Sequence, residues 1–144
     1  MSIRTILLVA GAFTALAAAP VAAQSIEPQK GYQCKAKYLA ADWMVIFYDG
    51  DDPTYCEATL DKSGKITSSS CFENKIGKVA GSLSGKLSIT KHCAITGTVT
   101  AKAKSGESEK GSAEFYMDAA ATSFAGIVKA KGDEFAVVQA IRMK

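Results

Sequence analysis

The sequence predicts an all-β domain: a small antiparallel β-barrel or β-sandwich of about eight or nine short strands, held by two disulfides and preceded by a cleaved signal peptide. Three observations carry that expectation. Apolar and polar residues alternate with a period of two along much of residues 32–144, the mark of strands with one face buried. Clusters rich in Gly, Asp and Ser interrupt the alternation at short intervals, where turns are expected. No stretch beyond residue 23 shows a convincing amphipathic helical spacing.

The chain has 144 residues, enough for one domain with its own core. Residues 1–23 read as a signal peptide. Arg4 gives a positive start, residues 6–19 are an uncharged stretch that is apolar but for Thr14, and Pro20 ends any helix. Val21, Ala22 and Ala23 then offer the small residues that signal peptidase needs, placing cleavage before Gln24. The apolar stretch is short for a membrane span of about 20 residues. No later segment resembles one, so the mature chain is expected to be soluble, in the periplasm or secreted. The alanine-rich leader is bacterial in style.

Residues 24–31 form a polar lead, and residues 32–144 form the single β domain. Tyr32, Cys34, Ala36 and Tyr38 alternate with Gln33, Lys35 and Lys37, which predicts a half-buried strand. Residues 43–48 are continuously apolar and β-favouring, which predicts a strand covered on both faces or, as an alternative, a short buried helix from Leu39. The Asp49-Gly50-Asp51-Asp52-Pro53 stretch stops it. Residues 54–60 and 65–71 flank Asp61-Lys62-Ser63-Gly64, a hairpin signal with Gly where a positive φ is needed. Leu83, Leu87 and Ile89 share a face around Gly85, and Cys93, Ile95, Val99 and Ala101 share the next. Residues 104–111 read as a mobile polar loop. Ala113, Phe115 and Met117 alternate after it, residues 123–129 form another strand, and Lys131-Gly132-Asp133 turns into a long terminal strand carrying Phe135, Val137, Gln139, Ile141 and Met143. Small residues expected to face inward are Ala36, Ala58, Gly97 and Ala101.

Cys34, Cys56, Cys71 and Cys93 are spaced by 22, 15 and 22 residues. An even count in an exported chain predicts two disulfides. The similar loop sizes favour Cys34–Cys56 with Cys71–Cys93, with Cys56–Cys71 across a hairpin as the second choice. The absence of a Cys-x-x-Cys pair argues against zinc and against a thioredoxin-like redox centre.

The formal charge is +3, too small for a dedicated nucleic-acid binder. Residues 42–61 hold six acids and no Lys or Arg, whereas residues 62–104 hold eight lysines against Glu73. Neutralisation of these blocks across neighbouring strands is the favoured expectation, and surface steering of a charged partner is the other. The Asp49, Asp51 and Asp52 cluster lacks the spacing of an EF-hand, so no metal is expected. The single histidine, His92, sits beside Cys93, but adjacent strand residues face opposite ways and a disulfide would consume the thiol. No nucleophile elbow or phosphate loop is present, and no cofactor is expected.

These readings point to an exported, non-enzymatic β-domain that binds a partner protein, for instance as an inhibitor of an exported hydrolase. Tyr48, Asp49, Asp51, Asp52, Tyr55 and Tyr116 are its candidate partner surface. The alternative is a carrier barrel for a small apolar ligand, which requires an interior cavity above about 300 Å³. A hydrolase built on an unrecognised carboxylate site is the third reading.

Overall fold

The computed structural model describes residues 31–48, 53–73, 79–132 and 135–144. Its strands are β1 (Ala41–Tyr48), β2 (Thr54–Leu60), β3 (Ile66–Glu73), β4 (Val79–Ile89), β5 (Ala94–Ala103), β6 (Ser108–Met117), β7 (Ser123–Lys129) and β8 (Phe135–Arg142). Each strand pairs antiparallel with the next, and β8 returns to β1, where Val45 faces Ala140 and Trp43 faces Arg142. That last pairing makes the fold a closed barrel rather than a sandwich, so that every strand has a neighbour on both sides.

Alternation decides what fills the barrel. Trp43, Val45, Cys56, Ala58, Leu60, Leu83, Leu87, Ile95, Val99, Ala113, Phe115, Phe124, Val138 and Ala140 are buried, each on the inward side of its strand. The outward positions of β4 to β6 include Ser84, Lys86, Ser88, Thr96, Thr98, Ser112 and Glu114, all exposed. The 61–64 turn forms as expected: Gly64 has φ +76°, and a Cβ on it would lie 1.9 Å from the Leu87 carbonyl oxygen. The Asp61 carboxylate accepts hydrogen bonds from the Ser63 and Lys65 backbone N–H groups at 2.8 and 3.1 Å.

One seam is less regular. β3 and β4 pair directly only at Cys71 with Gly81 and Phe72 with Val79, across a register shift. Below that point Ser69 Oγ accepts from Leu83 N–H at 2.6 Å and donates to Leu83 O at 2.7 Å. A side chain thus stands in for a missing stretch of backbone ladder.

Several expectations need correction. Residues 32–38 are not a strand: the segment crosses beneath the barrel and makes a single 3-10 turn, Ala36–Tyr38. A closed barrel offers it no free edge, and Ala36 is exposed rather than inward. Leu39, only 1% exposed, plugs the floor. β1 is covered on its inner face alone; Met44 and Ile46 are half-buried and Tyr48 is exposed on the outside. Residues 108–111 belong to β6 rather than to a loop: Ser108, Glu109 and Lys110 are all exposed where the β5–β6 hairpin reaches the end of the barrel, so the burial alternation that marks a strand begins only at Gly111. On β8 the inward set is Ala136, Val138 and Ala140, while Phe135, Val137 and Ile141 point out and are exposed.

Both disulfides are present, but with a different pairing from the favoured one: Cys34–Cys93 and Cys56–Cys71. Cys56 and Cys71 lie directly opposite each other on β2 and β3, with Cα atoms 4.0 Å apart. Cys34 anchors the crossing segment to the β4–β5 turn, where its N–H also donates to Lys91 O at 3.1 Å. Equal loop sizes were a poor guide because closure entropy changes only slowly with loop length.

Candidate functional site

The two ends of the barrel are built differently. At one end the floor is packed with large side chains. The Trp43 ring lies 4.8 Å from Phe124, which stacks on Phe115 at 5.3 Å. Trp43 Nε1–H donates to Leu39 O at 2.9 Å, so the buried indole leaves no polar atom unpaired. The Arg142 guanidinium covers the Trp43 ring at 5.0 Å and donates to Tyr38 O. The 3-10 turn, the Cys34–Cys93 bridge and the Trp43–Arg142 pair therefore seal this end together.

Toward the other end the inward side chains shrink. Along the paired β5 and β6 the facing couples run Ile95–Phe115, Gly97–Ala113, Val99–Gly111 and Ala101–Glu109. On β7 and β8 the order is Phe124–Ala140, Gly126–Val138 and Val128–Ala136. The result is a cavity of about 620 Å³ whose walls include Phe47, Leu83, Val99, Val128 and Ala136. The Cys56–Cys71 disulfide forms part of the wall. Odd-numbered strands end at this mouth and even-numbered strands begin there, so the 104–107 and 130–132 connections border it. Eight strands enclose an interior of the width that holds one small ligand when it is not filled by side chains.

Among the described residues two that line the cavity are ionisable, Lys102 and Glu109. Glu109 continues the inward series of Phe115, Ala113 and Gly111 on β6 and lies opposite Ala101. Lys102 alternates with the lining Ala101 and Ala103 and belongs to the outward series of Thr98 and Thr100. Its backbone packs closely on β4: a Cβ added at Gly81 would meet Lys102 O at 2.5 Å.

The residues expected to form a partner surface do not all converge. Tyr48 and Tyr55 sit on neighbouring strands, with Tyr55 opposite Ile46. Tyr116 is on β6, opposite Ala125, four strands round the ring from β2. It is 70% exposed. Asp49, Asp51 and Asp52 lie outside the described residues.

Among the described residues no ion pair joins the acidic block to the lysine-rich one, although the Lys65 charge helps to lower Asp61 across the β2–β3 hairpin. Glu57 faces Met44 and Ser70, while Lys86 faces Thr98 and Lys65. The ion pair that forms there is Lys129–Glu114 at 3.1 Å, outside both blocks and exposed. His92 is exposed in the β4–β5 turn, and its neighbour Cys93 is disulfide-bonded. The carboxyls held below their usual range, Asp61 and Asp118, brace surface turns at the sealed end. In Asp61 hydrogen bonds from Ser63 and Lys65 lower it. In Asp118 partial burial pushes upward, but hydrogen bonds from Thr122 and Ser123 and the charge of Arg142 together outweigh it.

Comparison with protein-family models, with curated protein sequences and with solved structures found no match. The cavity was the feature that sequence reasoning left undecided. Its signal was the run of Gly and Ala at inward positions beyond Val99 and Val138, which reads equally as space or as tight packing until the strands are placed.

Proposed function

We propose that this chain is an exported, non-enzymatic carrier that holds a small apolar ligand inside its barrel, in the periplasm or outside the cell. The observation that supports this reading over surface recognition is the cavity of about 620 Å³, within the range of sites that enclose drug-sized ligands. Its wall is mostly aliphatic and aromatic, so transfer of an apolar body from water is favourable at roughly 25 cal/mol per Å² buried. The sealed floor makes it a cup rather than a channel. Two disulfides fit an oxidising compartment.

A second reading, recognition of a partner protein, draws on the outer wall, where Tyr48, Val137 and Ile141 are exposed on the paired strands β1 and β8. The two readings separate in one titration. The neutral fluorophore N-phenyl-1-naphthylamine should bind the purified mature chain saturably at one site, with a Kd on the order of micromolar. No saturable fluorescence up to the solubility limit of the dye would remove the carrier reading and leave the outer wall.

A further inference from the structure

Resting on the carrier reading, we infer that the ligand carries a cationic end, an amine or a related group, that stops at the mouth against Glu109. The β6 series puts this carboxylate at the rim on the lumen side, two residues beyond Gly111. Lys102, the other ionisable lining residue among those described, alternates with the lining Ala101 and Ala103, so its side chain belongs to the outward series. A ligand whose apolar body fills the cup therefore meets a negative group as it emerges.

Phe47, an inward residue at the end of β1, three strands round the ring from β6, lines the same cavity and offers an aromatic wall to the apolar body of the ligand. A carboxylate at a water-exposed rim keeps its hydration, so charge is received without a large desolvation cost. Lys104 and Lys131 stand in the connections that border the mouth and work the other way, but among the described ionisable residues there Glu109 is the one whose side chain belongs to the lumen series. The local group dominates at contact distance.

The test is displacement of N-phenyl-1-naphthylamine from the mature chain by dodecylamine, dodecan-1-ol and dodecanoate. The assay is run at pH 7.5 and low salt, below their aggregation concentrations. The expected order is amine, then alcohol, then carboxylate, with about a three- to tenfold step between the charged ends that shrinks at high salt. Glu109→Gln should remove the advantage of the amine and leave the affinity for the alcohol unchanged; Lys102→Gln should preserve the order. Equal or tighter binding of dodecanoate, or an order insensitive to Glu109→Gln, overturns the cationic-end assignment while the carrier reading stands. Failure of both the dye and dodecan-1-ol to bind overturns both.

Discussion

The guanidinium of Arg142, near the end of the last strand, lies 5.0 Å from the ring of Trp43 on the first and donates to the carbonyl of Tyr38 beneath it. One side chain thus joins the two strands whose pairing closes the barrel to the segment that floors it. The clamp is imperfect, because Arg142 Nε is buried with no acceptor among the described residues, which offsets part of what the other contacts contribute.

Replacing Arg142 with Leu is therefore expected to lower stability by about 2 kcal/mol, from a charged hydrogen bond and a cation–π contact less the orphaned donor. Lysine should restore only part of it, since an ammonium cannot both lie flat on the indole and reach the carbonyl. Urea denaturation of the three proteins measures this. A Lys variant as stable as the original would show that charge alone matters.

Ser69 is the corresponding weak point of the wall. Its hydroxyl makes two hydrogen bonds to the Leu83 backbone where the β3–β4 ladder is interrupted. Ser69→Ala leaves a partly buried N–H and C=O without partners, at a cost of about 1–3 kcal/mol. Amide hydrogen exchange should then speed up at Leu83 more than at residues of β5–β6, where the ladder is continuous. Uniform acceleration across all strands would contradict a local seam.

The two disulfides should differ in what they contribute. Cys56–Cys71 closes 15 residues and Cys34–Cys93 closes 59, so loop-closure entropy gives about 3 and about 4 kcal/mol. Paired alanine replacements, compared by urea midpoint, should place the Cys34–Cys93 deletion lower. That deletion should also loosen the floor, exposing Trp43, and shift its fluorescence to the red. Mass measurement after alkylation without reductant should find no modified cysteine, since all four are paired.

Asp118 sets part of the acid limit. Its folded carboxyl is lowered below the usual value because hydrogen bonds from Thr122 and Ser123 and the charge of Arg142 outweigh the opposing effect of partial burial. The folded state thus holds the proton more weakly than the unfolded chain does. Its contribution is complete above the unfolded carboxylate pKa of about 3.9 and is lost as pH falls through the lowered folded value. Asp118→Asn should flatten the fall of Tm between about pH 5 and 2. An unchanged acid limb would mean that Asp118 titrates alike in both states.

Much of this fold can be read from the chain because strand alternation is a local property. The 61–64 hairpin, the Leu83–Leu87 face and the Ala113–Phe115–Met117 series all fall where period-two reading puts them. What escaped reading depends on contacts far apart in sequence. Residues 32–38 alternate like a strand, but their conformation is decided by Cys93 and Arg142, 59 and 104 residues away from Cys34 and Tyr38. Similarly, the space between the described walls depends on which small residues face one another: Gly111 meets Val99 on one side, and Ala136 meets Val128. No single strand records that coincidence.

Filling that space is the direct test of whether it is used. Ala101 and Ala136 both line the cavity, on β5 and β8 respectively. Phenylalanine at either position has open volume to enter, so the overpacking cost of about 1–3 kcal/mol seen in filled cores should be largely absent. The expected outcome is a Tm within a few degrees of the original and binding of N-phenyl-1-naphthylamine weakened at least about tenfold, the effect of denying a ring its contact area. An aromatic side chain on the outer wall, at Ser84, supplies the control and should leave binding intact. Retained binding in Ala101→Phe and Ala136→Phe alike would place the dye on the outside of the barrel and count against a ligand in the lumen.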